Sequence, residues 1–156
     1  MFHTRTITTI LTLFVAFIFI QSLFFKFSDG PETQYIFRTL DTWASGLGLP
    51  SLFSKGGIAS QYVVGAAELM ASALLLLALF PALRGLRAPG AALGLGVISG
   101  AIFFHLFTPL GVAVVNADGS SDGGLLFAMA CGVWLSCAWL LWHSRARIGA
   151  LPDRTV

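Results

Sequence analysis

Hydrophobic positions in this chain form long continuous runs separated by short polar stretches. Four such runs cover residues approximately 7–27, 60–83, 89–110 and 123–143. A hydrocarbon core about 30 Å thick is crossed by roughly 20 apolar residues in a helix. None of the runs alternates like a barrel strand, and lipid offers no partner to open backbone groups. The pattern predicts an all-α integral membrane four-helix bundle, with residues 1–156 as a single transmembrane domain.

Polar positions return at helical spacing between the first two runs. Across residues 31–47, apolar Ile36, Leu40, Trp43 and Leu47 recur with charged and hydroxyl residues between them. This spacing predicts an amphipathic helix lying on the outer membrane surface. The helix would either cap the membrane spans as a lid or offer a face to a partner.

The composition agrees with a membrane protein and excludes several other classes. The chain is 56% hydrophobic and only 10% charged, whereas a soluble domain carries about 25% charged residues. Aromatic residues make up 13% and the net charge is +2, which fits neither a disordered coil nor a nucleic-acid module. The first run exceeds a signal-peptide core of about 7–15 residues and no A-x-A-like cleavage site follows it, so a membrane span is favoured.

The distribution of basic residues predicts the orientation. Six basic residues fall on one side of the predicted spans and three on the other: Arg5, Arg84, Arg87, Arg145, Arg147 and Arg154 against Lys26, Arg38 and Lys55. The more basic side is cytoplasmic. We therefore expect a multi-pass protein of the cell membrane with both termini in the cytoplasm, and an inner-membrane protein if the source is a Gram-negative bacterium.

Glu68 is the strongest candidate for a functional residue. An ionisable group inside a membrane span costs about 2.5–3.5 kcal/mol on insertion scales. Glu68 shares one helical face with Gln61, Gly65 and Ser72, at spacings of i, i+4, i+7 and i+11. We expect this small and polar face to point into the bundle.

Further polar residues fall in the same outer half of the membrane. The predicted ligand-binding set comprises Glu68, His105, Lys26, Gln61, Gln21 and Asp122, which could converge on one outward-facing pocket. Structural alternatives stay open: Lys26 could snorkel to the surface or pair with Glu68, His105 could be a hydrogen-bonded bundle histidine, and Asp122 could cap a helix.

No recognised catalytic or metal-binding motif accompanies this set. The spacing predicts no metal site, and the calcium-loop-like stretch from Asp118 has Met129 at the twelfth position, where calcium needs a glutamate. Cys131 and Cys137 do not form a CxxC pair. No catalytic residue can be assigned. The residues suit either proton-coupled binding of a quinone headgroup or a small-molecule pocket without turnover.

Five segments together resemble the small four-span DoxX-like membrane proteins. They are QSLFFKF at 21–27, PETQYIF at 31–37, GAAEL at 65–69, GAIFFHL at 100–106 and DGGLLF at 122–127. Their combination and order carry the resemblance, which covers approximately residues 7–142. It implies a four-helix membrane bundle linked to quinone-dependent, sulfur or stress redox systems, with distant likeness to receptor-assembly chaperones and cargo receptors. This chain departs from the family in having no usable cysteine pair, which weakens the case for a thiol-redox role.

Two classes of function follow. The first is a redox-associated accessory subunit that binds quinone while a partner supplies the electron-transfer centre, because the chain has no haem, flavin or iron–sulfur motif. The second is a non-enzymatic assembly factor, chaperone, small-molecule binding or transport protein. The expected partners are the lipid bilayer, a redox or client membrane protein, and a second copy of the chain. An accessory or non-enzymatic role is favoured over an independent enzyme.

Overall fold

A computed structural model describes residues 2–115 and 119–148. Asp118 of the calcium-loop interpretation and Arg154 of the orientation argument lie outside the described residues, as do the side chains of Arg145 and Arg147. The described part contains five α-helices and one 3₁₀ helix: α1 (Phe2–Phe27), α2 (Pro31–Gly46), α3 (Gln61–Leu77), the 3₁₀ helix (Pro81–Leu86), α4 (Arg87–Phe107) and α5 (Leu125–Ile148). The all-helical prediction is confirmed for these residues.

Three helical segments are long and apolar enough to cross a membrane. They are Thr4–Phe27, Pro81–Phe107 and Leu125–Ser144. The fourth apolar helix, α3, has 17 residues and is shorter. The chain is thus a helical membrane protein by length and composition, and the number of spans stays a prediction.

The helix formed by the second apolar run is shorter than the run itself. It was expected to reach Leu83, but α3 stops at Leu77. Phe80 adopts an extended conformation with ψ 134°, because the ring of the following proline disfavours helical geometry at the preceding residue. The 3₁₀ helix then leads directly into α4. The other boundaries differ less: the fourth run, expected over 123–143, forms the helix Leu125–Ile148.

The helices α1, α3, α4 and α5 each pack against two of the others. The main core between them is formed by Val15, Phe19, Ala71, Leu75, Ala91, Ile98, Ala130, Val133, Cys137 and Leu140. A smaller second core joins α2 to the connecting loops, through Leu40, Ala44, Phe53, Leu110 and Val114. The second core lies at the end of the helices that carries Lys26, here named the Lys26 end. The opposite end is named the Arg5 end.

The predicted helix over residues 31–47 is present as α2. It begins with Pro31 in its first turn, a position that needs no backbone N–H donor, and Gly48 follows it with φ +82°. Thr33, Leu40 and Ala44 are its buried residues. Its placement on a membrane surface stays a prediction.

Small residues on α4 allow close helix contact. A Cβ atom at Gly90 would lie 2.9 Å from Leu74 Cβ and 3.1 Å from the backbone nitrogen of Leu75. Gly96, on the same helix, has no atom within 4 Å of such a Cβ. Close packing therefore requires glycine at position 90, whereas position 96 has space for a larger side chain.

Gly90→Ala should destabilise the protein, and Gly96→Ala should not. The added methyl at position 90 forces α3 and α4 apart, at a cost of about 1–3 kcal/mol for overpacking. At position 96 the methyl meets open space, so only helix propensity changes. Thermal unfolding of both variants in the same detergent checks this. Equal melting temperatures for the two variants would contradict the close approach at Gly90.

Candidate functional site

A buried ion pair joins α1 to α3. The ammonium of Lys26 donates hydrogen bonds to both carboxylate oxygens of Glu68, at 3.1 and 3.0 Å, and also to Ser22 Oγ. The two charged side chains are only 12% and 7% exposed. Gly65 makes room for this pair, because a Cβ there would lie 3.5 Å from Lys26 Cδ and closer still to Leu23 and Phe27.

The polar face predicted on α3 is confirmed as an inward-facing stripe. Gln61, Gly65, Glu68 and Ser72 are all buried. Their 3.6-residue periodicity places them on one side of the helix, opposite the exposed Leu69 and Met70. The hydroxyl of Ser72 has no hydrogen-bond partner among the described residues.

A second layer of hydrogen bonds covers the ion pair at the Lys26 end. The Gln61 side-chain amide donates to the Lys26 carbonyl and to Asp29 Oδ1, each at 2.7 Å. Gln61 Oε1 accepts from Gln34 Nε2 at 2.7 Å. Asp29 also receives Lys55 Nζ at 2.6 Å and the Tyr62 hydroxyl at 3.1 Å. This set, named the Gln61 network, ties α1, α2 and α3 together.

Asp29 is held in its charged form by this network. It adopts φ +55° just after α1, a conformation that aspartate tolerates better than most residues. Hydrogen bonds from Lys55 first, and then from Gln61, hold the pKa of Asp29 below its ordinary value. The same contact raises the pKa of Lys55. Both groups lie in connecting segments outside the apolar helices.

His105 and Asp122 form a separate group. His105 Nδ1 lies 2.7 Å from the Gly111 carbonyl oxygen, and its ring contacts Phe127 at a centroid distance of 5.7 Å. Asp122 accepts hydrogen bonds from the backbone N–H groups of Val114 at 2.7 Å, Gly124 at 2.9 Å and Leu126 at 3.0 Å. The expectation that Asp122 caps a helix is confirmed at the start of α5.

The electrostatics of Asp122 follow from these backbone contacts. Partial burial by itself would raise the pKa of the carboxyl group, but the N–H donors of Leu126, Gly124 and Val114 outweigh it and lower the pKa. The electrostatic interaction with the neighbouring His105 also lowers the pKa of Asp122. A carboxylate at a helix N-terminus is further favoured by the helix dipole.

The structure divides the six predicted site residues into two groups and one outlier. Lys26, Glu68 and Gln61 are brought together, and His105 stands with Asp122. Gln21 is exposed on α1 and takes no part in either group. The hydrogen bonds of the described residues do not join the groups into one pocket, because His105 is committed to a loop carbonyl and Asp122 to the backbone of α5.

An open cavity lies on α2, beside the Gln61 network. Its volume is about 680 Å³, and it is named the α2 groove. It is lined by Pro31, Gln34, Tyr35, Arg38, Thr39, Thr42, Trp43 and Pro109. Gln34 belongs to both the groove and the Gln61 network, so the groove is connected to the buried ion pair through Gln34, Gln61 and the Lys26 carbonyl.

The sequence reasoning did not select the residues that line this groove. The signal was present, since positions 31, 34, 35, 38, 39, 42 and 43 follow helical spacing along one face of α2. Apart from Trp43, which borders the apolar stripe, these residues lie on the more polar side of α2, and an exposed polar helix face is usually only solvated. Pro109, from the loop after α4, could not have been assigned to it from spacing.

The site contains no arrangement typical of a metal centre or an activated nucleophile. Within residues 2–115 and 119–148, no group of three or more His, Cys, Asp or Glu side chains could hold a metal ion. Cys131 and Cys137 are free thiols on α5. The arrangement can bind and orient a polar group, and the connected amides of Gln34 and Gln61 link the groove to the backbone carbonyl of Lys26.

Comparison with protein-family models, with curated proteins and with solved structures gives no match to this chain. The residues and their geometry therefore carry the functional argument.

Removing one partner of the ion pair should be more harmful than removing both. Glu68→Leu leaves an unpaired buried ammonium and should cost about 3–5 kcal/mol, whereas a double Lys26→Met, Glu68→Leu variant should recover much of that loss. Chemical unfolding of the wild type, of both single variants (Glu68→Leu and Lys26→Met) and of the double variant gives a double-mutant cycle. Strictly additive losses would show that the two charges do not interact.

Stability should depend on Asp29 at acidic pH. Since its folded pKa lies below the ordinary value of 3.8, its contribution is complete above that value and is lost as pH falls through the folded pKa. The free energy of unfolding of the wild-type protein should therefore exceed that of Asp29→Asn at neutral pH, and the difference should disappear below about pH 4. Unfolding measured from neutral to acidic pH tests this, and Asp122 is retained in both proteins. A constant difference at every pH would contradict a stabilising role for the ionised carboxylate.

Proposed function

We propose that this chain is a DoxX-like integral membrane protein in which α1, α3, α4 and α5 all cross the bilayer. Three of the four are long and apolar enough by themselves. The 17 residues of α3 extend about 25 Å at 1.5 Å per residue, somewhat less than a hydrocarbon core of about 30 Å. Because α3 packs between α1 and α4, its buried Glu68 is surrounded by protein.

In this proposal α2 lies on the outer surface and both termini are cytoplasmic. The excess of arginine at the Arg5 end supports that orientation. The amphipathic character of α2 is supported by its buried residues Leu40 and Ala44 and by the exposed Tyr35 and Arg38 on other faces. The protein would belong to the cell membrane.

The proposed function is that of an accessory subunit that binds quinone, or a similar small hydrophobic ligand with a polar head, in the α2 groove. One observation carries this: the open α2 groove shares Gln34 with the network that covers the buried Lys26–Glu68 pair. Its volume of about 680 Å³ falls within the range of about 300–1,000 Å³ of small-molecule sites.

The lining residues give the expected mode of binding. Tyr35 and Trp43 offer aromatic faces to a planar ring, and the apolar tail would extend toward lipid. Arg38 can donate hydrogen bonds to the carbonyl oxygens of a quinone head, whereas the side-chain amide of Gln34 already donates to Gln61 and Asp29. Glu68 and Lys26 act as positioning residues, because they reach the groove only through Gln61 and Gln34.

An accessory role follows from what the chain can supply. A bound quinone brings its own redox chemistry, whereas the protein contributes binding, orientation and electrostatics. The sequence has no haem, flavin or iron–sulfur motif, so electron transfer would require a partner membrane protein. Roles for His105 and Asp122 in the ligand site are not supported, since both serve the loop before α5.

Assembly of a client protein is a second candidate function. It is favoured by large apolar side chains exposed in the loop between α2 and α3, namely Leu47, Leu49 and Ile58, which are 61%, 54% and 83% exposed. Exposed apolar groups at one site mark membrane or protein contacts. In that role the α2 groove would bind no quinone.

Arg38→Gln should weaken binding of a short-chain benzoquinone roughly tenfold, because it removes a charged hydrogen-bond donor. Arg84→Gln removes the same charge and side chain at the Arg5 end and should bind as wild type does. Equilibrium dialysis of purified protein in detergent measures both. Wild-type protein that binds no quinone would overturn the proposal and leave the assembly role, and equal binding by Arg38→Gln would place the ligand outside the groove.

A further inference from the structure

Three arginines converge on a small cavity at the Arg5 end of the helices. Its volume is about 100 Å³, and it is named the arginine pocket. It is lined by Arg5, Thr8, Thr9, Leu79, Arg84 and Arg87. Arg5 comes from α1, Arg84 from the 3₁₀ helix and Arg87 from the first residue of α4, so the packing of the helices creates the pocket.

The charge of the pocket has one sign. None of its lining residues is acidic. The acidic side chains within the described part of the chain are at the Lys26 end or in the buried ion pair: Asp29, Glu32, Asp41, Glu68 and Asp122. A concave site lined by one sign of charge concentrates the opposite ion. The pocket therefore favours an anion.

The donor chemistry favours phosphate. Guanidinium groups match the geometry of phosphate oxygens and form paired, charge-assisted hydrogen bonds with them. The two threonine hydroxyls already donate to backbone carbonyls, Thr8 to Thr4 at 2.7 Å and Thr9 to Arg5 at 3.1 Å. The donors for an anion are thus the exposed guanidinium groups of Arg5 and Arg84.

The position of the pocket favours a lipid as the source of that phosphate. Arg5 lies at the start of the apolar segment Thr4–Phe27, and Leu79 forms an apolar wall. Arg5 and Arg84 are exposed, so the pocket opens where lipid headgroups meet the ends of the spans. We propose that the arginine pocket binds a phosphate group, that of an anionic phospholipid headgroup. This site is independent of the α2 groove.

The experiment uses the full chain purified in detergent and depleted of lipid. Native mass spectrometry measures retention of added phosphatidylglycerol against phosphatidylcholine, for wild type, Arg5→Gln and Arg84→Gln. These two arginines are exposed, so their replacement leaves the core intact. Arg38→Gln is the matched control, since it removes the same side chain at the Lys26 end. A parallel series with inorganic phosphate alone tests a soluble source.

Wild type should retain phosphatidylglycerol in preference to phosphatidylcholine, and each pocket variant should weaken that retention roughly fivefold, with Arg38→Gln unchanged. Binding of inorganic phosphate that depends on Arg5 and Arg84, without retention of phosphatidylglycerol, would support the phosphate site and assign it a soluble ligand. Retention that is equal for both lipids, or equal in Arg38→Gln and Arg84→Gln, together with no arginine-dependent binding of phosphate, would overturn the proposal. Loss of quinone binding in Arg38→Gln is a separate result and does not bear on this site.

Discussion

The buried contact between Lys26 and Glu68 is the interaction on which the rest of the Lys26 end depends. Removing two charges from water is costly, and the cost is offset only when each charge meets the other in good geometry with further hydrogen bonds. Both carboxylate oxygens accept from the ammonium, and Ser22 supplies a further oxygen. Because one helix supplies the cation and another the anion, this requirement fixes the register of α1 against α3. Gly65 lets α1 and α3 lie close together beside this pair, since a Cβ atom there would lie 3.3 Å from the ring of Phe27 and 3.4 Å from Leu23.

The position of α2 follows from that register. Once α1 and α3 are aligned, Gln61 comes within hydrogen-bond distance of the Lys26 carbonyl and of Asp29, and its oxygen is turned to Gln34. The groove on α2 is consequently built on a helix that is held by polar contacts at its first turns and by Leu40 and Ala44 further along. A ligand that displaced Gln34 would break the hydrogen bond to Gln61 Oε1, and the Gln61 amide also donates to the Lys26 carbonyl.

Sequence periodicity predicted much of this arrangement and failed where loops decide the outcome. The stripe of Gln61, Gly65, Glu68 and Ser72 could be derived because helical spacing alone sets which residues share a face. The helix over 31–47 was predictable for the same reason. The expected meeting of His105 with Glu68 was not realised, because the loop after α4 brings the Gly111 carbonyl to the imidazole, and spacing within a helix says nothing about such a contact. The groove was missed for a related reason: its residues are periodic on α2, but Pro109 and the path of the chain around it give the cavity its depth.

Charged side chains are compensated differently at the two ends of the molecule. At the Lys26 end each described carboxylate of the site has a partner within the chain: Glu68 has Lys26, Asp29 has Lys55 and Gln61, and Asp122 has the first backbone donors of α5. At the Arg5 end the lining of the pocket is cationic, and no side chain of that lining can neutralise it. Compensation of these carboxylates leaves Arg38 as the charged side chain that lines the α2 groove. In the proposed orientation the arginines at the other end face the lipid headgroups of the cytoplasmic surface. The distribution of charge that predicts this orientation therefore also predicts that the α2 groove opens on the outer side.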